Sequence, residues 1–285
     1  MRELAKALMC AAMLAGCSSS TPPTPIAASG FAQSGDEVAA RITFNVPQTS
    51  AFVLQDEKGA LINQDVSLRI NAQGRPMVVI DGQRFVLNSE GNGIYSTTEN
   101  DTNVLWLRIS QTDPNAVELI YLSFATEDSF NAGYVPFGFD TNPTTVAAET
   151  GSAVYTGPAS LSLRQVIDGR LASGFSNGTA RITADFDGGA VNGSIRFDDP
   201  ADRPIEVADV TLQLEGTAIR GNTFSGSVSV AAGSFGDGNT LSSGTYDGRF
   251  FGADVGAVGG TVTGTVVTGD PDRPILLQGG FIGEQ

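Results

Sequence analysis

Beyond residue 178 the chain alternates. Thr179-Ala180-Arg181-Ile182-Thr183-Ala184-Asp185-Phe186 puts Ala180, Ile182, Ala184 and Phe186 on one face and Thr, Arg, Thr and Asp on the other. A period of two is the mark of a half-buried strand. Val210-Thr211-Leu212-Gln213-Leu214-Glu215 repeats it, and Asn177-Gly178, Asp187-Gly188 and Asn192-Gly193 read as hairpin turns between such runs. A shorter motif recurs as Val191-Asn192-Gly193-Ser194-Ile195, Phe224-Ser225-Gly226-Ser227-Val228 and Val262-Thr263-Gly264-Thr265-Val266. The glycine there lies between two inward side chains on its own face. It lets a strongly coiled strand bend, or lets a neighbouring large side chain lie across it.

Counted this way, segments near 152–157, 159–163, 178–186, 190–197, 207–216, 222–231, 244–251 and 258–268 are strands. A ninth near 275–282 becomes the closing strand if the first two are one bent strand. Eight antiparallel strands close into a barrel filled by its own side chains. A membrane-spanning barrel needs strands of about 9–11 residues, an apolar outer band and aromatic girdles. Several strands here are shorter and aromatics are few, so the expectation is a soluble barrel.

The first half is strand-rich in a different way. Val66–Ile70, Met77–Ile80, Arg84–Leu87, Val104–Ile109 and Val117–Leu122 suit strands, with Asp81-Gly82-Gln83 as a tight connection. Trp106, the single tryptophan, reads as core. Residues 1–150 hold 10 of the 35 glycines, and lysine occurs only at Lys6 and Lys58. A boundary falls near Asn142-Pro143-Thr144-Thr145. The fold expected is all-β: a β-rich domain over 38–145, then a small eight-stranded antiparallel barrel over 146–285.

The first sixteen residues belong to neither. Arg2 and Lys6 precede the apolar run Ala7–Met13, which is too short to span a bilayer. Leu14-Ala15-Gly16-Cys17 then resembles the lipobox of bacterial lipoproteins. The expected processing is cleavage before Cys17, removing residues 1–16 as signal peptide, and acylation of its thiol. Each buried methylene contributes roughly 0.8 kcal/mol, so several acyl chains anchor the protein durably. Ser18 stands where an Asp would favour inner-membrane retention, which points to the outer membrane. Residues 17–37, rich in Ser, Thr, Pro and Ala, read as a flexible tether.

Composition narrows the chemistry. Cys10 and Cys17 are the only cysteines, so a processed chain has no spare thiol for a disulfide, metal site or nucleophile. Histidine is absent, which removes the commonest general base, serine–histidine triads, most zinc sites and the usual haem ligand. The acids sit in turn sequences such as Asp187-Gly188-Gly189, Asp198-Asp199-Pro200, Asp237-Gly238-Asn239 and Asp270-Pro271-Asp272. No enzyme activity, cofactor or metal is expected. The chain carries 16 basic and 31 acidic residues; without residues 1–16 the balance is 14 against 30. Such a surface repels nucleic acid and favours basic partners.

Two further runs resemble a known family. Tyr134-Val135-Pro136-Phe137-Gly138-Phe139-Asp140-Thr141 leads into Gly151-Ser152-Ala153-Val154-Tyr155-Thr156-Gly157. Gly248-Arg249-Phe250-Phe251-Gly252 precedes Gly259-Gly260. These resemble the transferrin-binding-protein-like surface lipoproteins, whose barrels carry a G-x-F-[YF]-G … E-x-G-G run. The likeness covers about 134–285. Ala257 stands where the family often has Glu. The resemblance implies a β-rich handle followed by an eight-stranded barrel, in a single lobe. It also implies capture of a protein or small ligand in iron or haem acquisition, with a host or environmental iron or haem protein and an outer-membrane receptor or translocon as the partners. Cys17 is the only functional residue it transfers; it carries over no ligand-binding residue. The rival expectation is a structural or adhesive envelope lipoprotein with no small ligand.

Overall fold

The computed structural model describes residues 40–43, 65–70, 75–80, 82–110, 117–125, 130–167, 170–198, 210–231, 238–270 and 273–285, with Ile205 and Phe235 between them. The described residues form three sheets. A four-stranded sheet runs in the order β1 (Ala40–Thr43), β2 (Asp65–Ile70), β3 (Pro76–Ile80), β4 (Gln83–Val86). A five-stranded sheet follows: β5 (Asn88–Gly91), β6 (Ile94–Glu99), β7 (Thr102–Arg108), β8 (Val117–Ala125), β9 (Phe130–Gly138). Leu68, Val78 and Phe85 of the first sheet and Trp106, Ile120, Leu122, Phe124 and Phe137 of the second share one buried cluster. Trp106 is fully buried, its ring edge-on to Phe137 at 4.9 Å, which is the core role expected of it.

A short helix α1 (Pro143–Ala148) marks the passage to the barrel. The residues read as the boundary start it. Asn142 caps it, accepting from the Thr144 amide at 3.0 Å, and Pro143 occupies the first turn, where no amide hydrogen is needed.

The barrel closes in the order β10 (Ser152–Ile167), β11 (Arg170–Asp185), β12 (Ala190–Phe197), β13 (Val210–Ala218), β14 (Thr223–Val230), β15 (Thr240–Phe251), β16 (Ala257–Val267), β17 (Ile275–Glu284). Segments 152–157 and 159–163 are one strand, and 275–282 is the closing one. Two turn readings are corrected. Asn177-Gly178 lies inside β11, opposite Ser160 and Ala159, and Asn192-Gly193 lies inside β12. Gly178 is needed because a Cβ there would strike the Arg196 carbonyl of β12. Asp187-Gly188 does turn, with the Asp185 carboxylate accepting the Gly188 amide at 2.9 Å.

In all three copies of the glycine motif the large residues are buried: Val191, Ile195, Phe224, Val228, Val262 and Val266. Gly226 sits directly opposite Tyr246, and a Cβ would come within 3.0 Å of that ring. Phe224 lies across Gly248 in the same way. Large and small residues thus face each other across the ladder, which fills a narrow barrel without voids. Tyr155, Phe224, Tyr246, Phe250 and Phe281 all lie in this interior.

Candidate functional site

β8 is buried along its whole length, because both of its faces are covered. Ile120, Leu122 and Phe124 belong to the core between the two handle sheets. Val117, Leu119 and Tyr121 alternate with them and pack with Ala132 and Tyr134 against Phe251, Ala257 and Ile282 of the barrel. Handle and barrel therefore share a third apolar cluster, on the barrel's outer surface. Glycines bring the surfaces close: a Cβ at Gly280 would meet Leu119 Cδ1 at 2.8 Å, and one at Gly133 would meet the Gln278 amide at 2.7 Å.

Polar groups fix the register of this junction. β9 is an edge strand, so its outward backbone groups need partners. Gln278 supplies them: its Oε1 accepts from the Tyr134 amide at 2.8 Å and its Nε2 donates to the Tyr134 carbonyl at 2.9 Å. Arg164 points out of the barrel wall yet is buried, and its guanidinium donates to the Ala132 carbonyl. Burial pulls its pKa below the ordinary arginine value, opposed by the neighbouring Tyr121 and Tyr134 hydroxyls. Tyr121 titrates above the ordinary tyrosine range because it is desolvated, an effect Arg164 moderates. Tyr121, Tyr134 and the half-buried Phe175 stack around this spot, with ring centroids 5.2–6.5 Å apart.

The connecting segment is stitched down as well. Thr141 donates from its amide to the Phe250 carbonyl at 3.0 Å and from its hydroxyl to the Gly252 carbonyl at 2.7 Å. The Gly252 amide donates back to Phe139, and Arg249 pairs with Asp140 at 2.9 Å.

With the interior filled by side chains, the outer surfaces of handle and barrel are what a partner can meet. Four barrel connections, β10–β11, β12–β13, β14–β15 and β16–β17, leave at one end, including the longer stretches 198–209 and 231–239. The opposite end carries the tight turns 186–189, 219–222 and 252–256. Cys17, the residue singled out by the sequence for acylation, lies outside the described residues. The junction residues Tyr134, Arg164 and Gln278 carried no sequence signal as a group. The unalternating run Val117–Leu122 was the one visible sign that β8 is covered twice.

Residues 148–284 match a family model described as the C-lobe and N-lobe beta barrels of Tf-binding protein B. Among solved structures, the fold is similar to a double mutant of the vaccine antigen transferrin binding protein B from Haemophilus parasuis Hp5. The identity is 14%, the TM-score 0.51, and the match covers 87% of this chain and 45% of that one. The isotype 1 protein from serogroup B Neisseria meningitidis matches at 19% identity and TM-score 0.49, over 73% of this chain and 39% of that one. HpuA from Kingella denitrificans, solved in complex with human haemoglobin, matches at 14% identity and TM-score 0.38, over 87% and 86%. The chain thus spans less than half the length of the two transferrin binding proteins. No curated protein sequence matches it.

Proposed function

We propose that this chain, whose residues 148–284 match the model of the transferrin-binding-protein-B lobe barrels, is a surface-displayed binding lipoprotein that captures a host iron protein. The observation that carries this reading is the closed, side-chain-filled barrel with a handle packed against its outer wall. Among the described residues, the barrel interior is filled by side chains such as Tyr155, Phe224, Tyr246 and Phe250. The scaffold offers a rigid outer surface on which loops meet a macromolecule. Acylation of Cys17 at the outer membrane, with residues 17–37 as tether, holds that surface at the cell boundary, where an outer-membrane receptor would take the cargo onward. The chemistry is recognition rather than catalysis.

The test is direct. The full chain, solubilised in detergent and immobilised, is exposed in turn to transferrin, lactoferrin and haemoglobin, each with and without iron or haem, and to serum. Saturable binding to one of the three supports the reading. Failure with all three, together with retention at the cell envelope, would favour a structural or adhesive lipoprotein instead.

A further inference from the structure

One ionisable pair lies inside the handle and plays no part in the junction's own contacts. Glu118 of β8 is 3% exposed. It meets Arg108 of β7 with Nε to Oε2 at 3.0 Å, off the line of the N–H bond. Its other oxygen, Oε1, has no hydrogen-bond partner among the described residues, nor has Nη2 of Arg108. A buried carboxylate with one oxygen orphaned and a poorly aimed counter-ion gains too little to offset its lost hydration. Taking up a proton removes the charge and its desolvation cost.

Among the described residues, few groups around Glu118 can compensate its charge. Arg108 from β7 and Tyr95 from β6 are the titratable neighbours that act on or feel Glu118. Across the ladder on β9 stands Phe137. The buried core side chains that the four-stranded sheet contributes, Leu68, Val78, Ile80 and Phe85, are apolar. The position of Glu118 along β8 gives the charge a mechanical connection. Its immediate neighbours Val117 and Leu119 point the other way, into the cluster that holds the barrel.

We propose that Glu118 is a proton-uptake site built into the handle, and that its charge state sets how Val117 and Leu119 seat on the barrel. Burial raises its carboxyl to about 7, with Arg108 pulling the other way. The ordinary value in an unfolded chain is 4.5. Between those two values the folded chain holds the proton that the unfolded chain releases, so stability falls as pH rises from 4.5 and the loss is complete above 7. The handle then carries a buried charge at pH 8 that it lacks at pH 5.5.

Trp106 lies on the same inner face of β7 as Arg108, two residues away, and is the only tryptophan. Its emission is therefore a reporter of the site. In the full chain in detergent, the emission wavelength or intensity is expected to change with a midpoint near 7, and a 13C-labelled glutamate carboxyl should titrate at the same midpoint. Leu119 and Ile282 methyl resonances should move with them. Glu118→Gln, which mimics the protonated acid, should remove all three titrations and unfold at a higher denaturant concentration than the parent at pH 8 but not at pH 5. A carboxyl midpoint below 5.5 in the parent would overturn the proposal whether or not the variant folds. Methyl resonances that stay still while the carboxyl titrates would refute its connection to the barrel.

Discussion

The side-chain amide of Gln278 hydrogen-bonds both backbone groups of Tyr134, accepting at 2.8 Å and donating at 2.9 Å. One side chain from the barrel wall thus completes the outer edge of a handle strand. Gln278→Leu keeps the volume but leaves the Tyr134 amide and carbonyl without their partner. A buried pair left unmet costs about 1–3 kcal/mol per group. The full chain should unfold at a clearly lower denaturant midpoint, with an unchanged slope.

Gly280 marks the closest approach of the two parts. Gly280→Val would drive a branched side chain into Leu119 and Tyr134, where a Cβ alone would come within 2.8 Å. Overpacking of this kind costs about 1–3 kcal/mol. Gly269→Ala, with nothing within 4 Å of the added carbon, should leave the transition where it was. If both variants melt alike, the junction is looser than the packing implies.

The Asp140–Arg249 pair should matter little by contrast. Its side chains are 42% and 29% exposed, and exposed pairs contribute about 0–1 kcal/mol. Asp140→Asn should shift the denaturation midpoint by less than the scatter seen for Gln278→Leu. A larger loss would mean that the stitched segment around Thr141 depends on this charge.

A fragment of residues 149–285 should form the barrel by itself, because a closed ring has no free edge and buries its inward face internally. Without the handle, however, it exposes Phe175, Phe251 and Ile282, which lie on its outer wall. It should therefore give β-type circular dichroism and a cooperative melt, but sediment as dimers or larger species at raised concentration. An unfolded fragment would show that the ring requires the handle in order to close.

Cys17→Ser should abolish acyl labelling and move the protein from the detergent-extracted membrane fraction to the soluble one, with the first sixteen residues retained. A Ser variant that still labels and pellets with membranes would exclude Cys17 as the anchor.

How far the sequence reached depends on which face of a strand is asked about. Inward positions announce themselves by alternation, and the repeated glycine motif marked Gly226 as a place a large neighbour could cross, which Tyr246 does; that Phe224 crosses Gly248 was not legible from it. Asn177-Gly178 misled because the same two residues serve a hairpin and a strand that runs tight against its neighbour; only the pairing partner Phe197 distinguishes them. The junction stayed hidden for a related reason. Outward barrel positions such as Arg164, Gln278 and Gly280 carry no local sign that Leu119 and Tyr134 will cover them. Glu118 is a lone charged residue in an apolar run, with no local sign of burial. Its burial follows from two layers meeting over β8, which is a property of the assembled fold.

The ring is closed by a pairing between β10 and β17, in which Thr156 stands opposite Glu284. Local hairpins such as β10–β11 can zip as they emerge, whereas this seam joins the first strand of the barrel to the eighth. Contacts so distant along the chain are slow to form, since loop-closure entropy must be met before they reward it. As the chain folds, then, β10 waits with one edge open until β17 arrives, and the barrel-wall groups that the handle covers wait with it. That interval is the time at which the protein is most exposed to edge-to-edge aggregation. A holdase that binds extended strands would have its greatest effect on yield there, and little effect once the ring has shut.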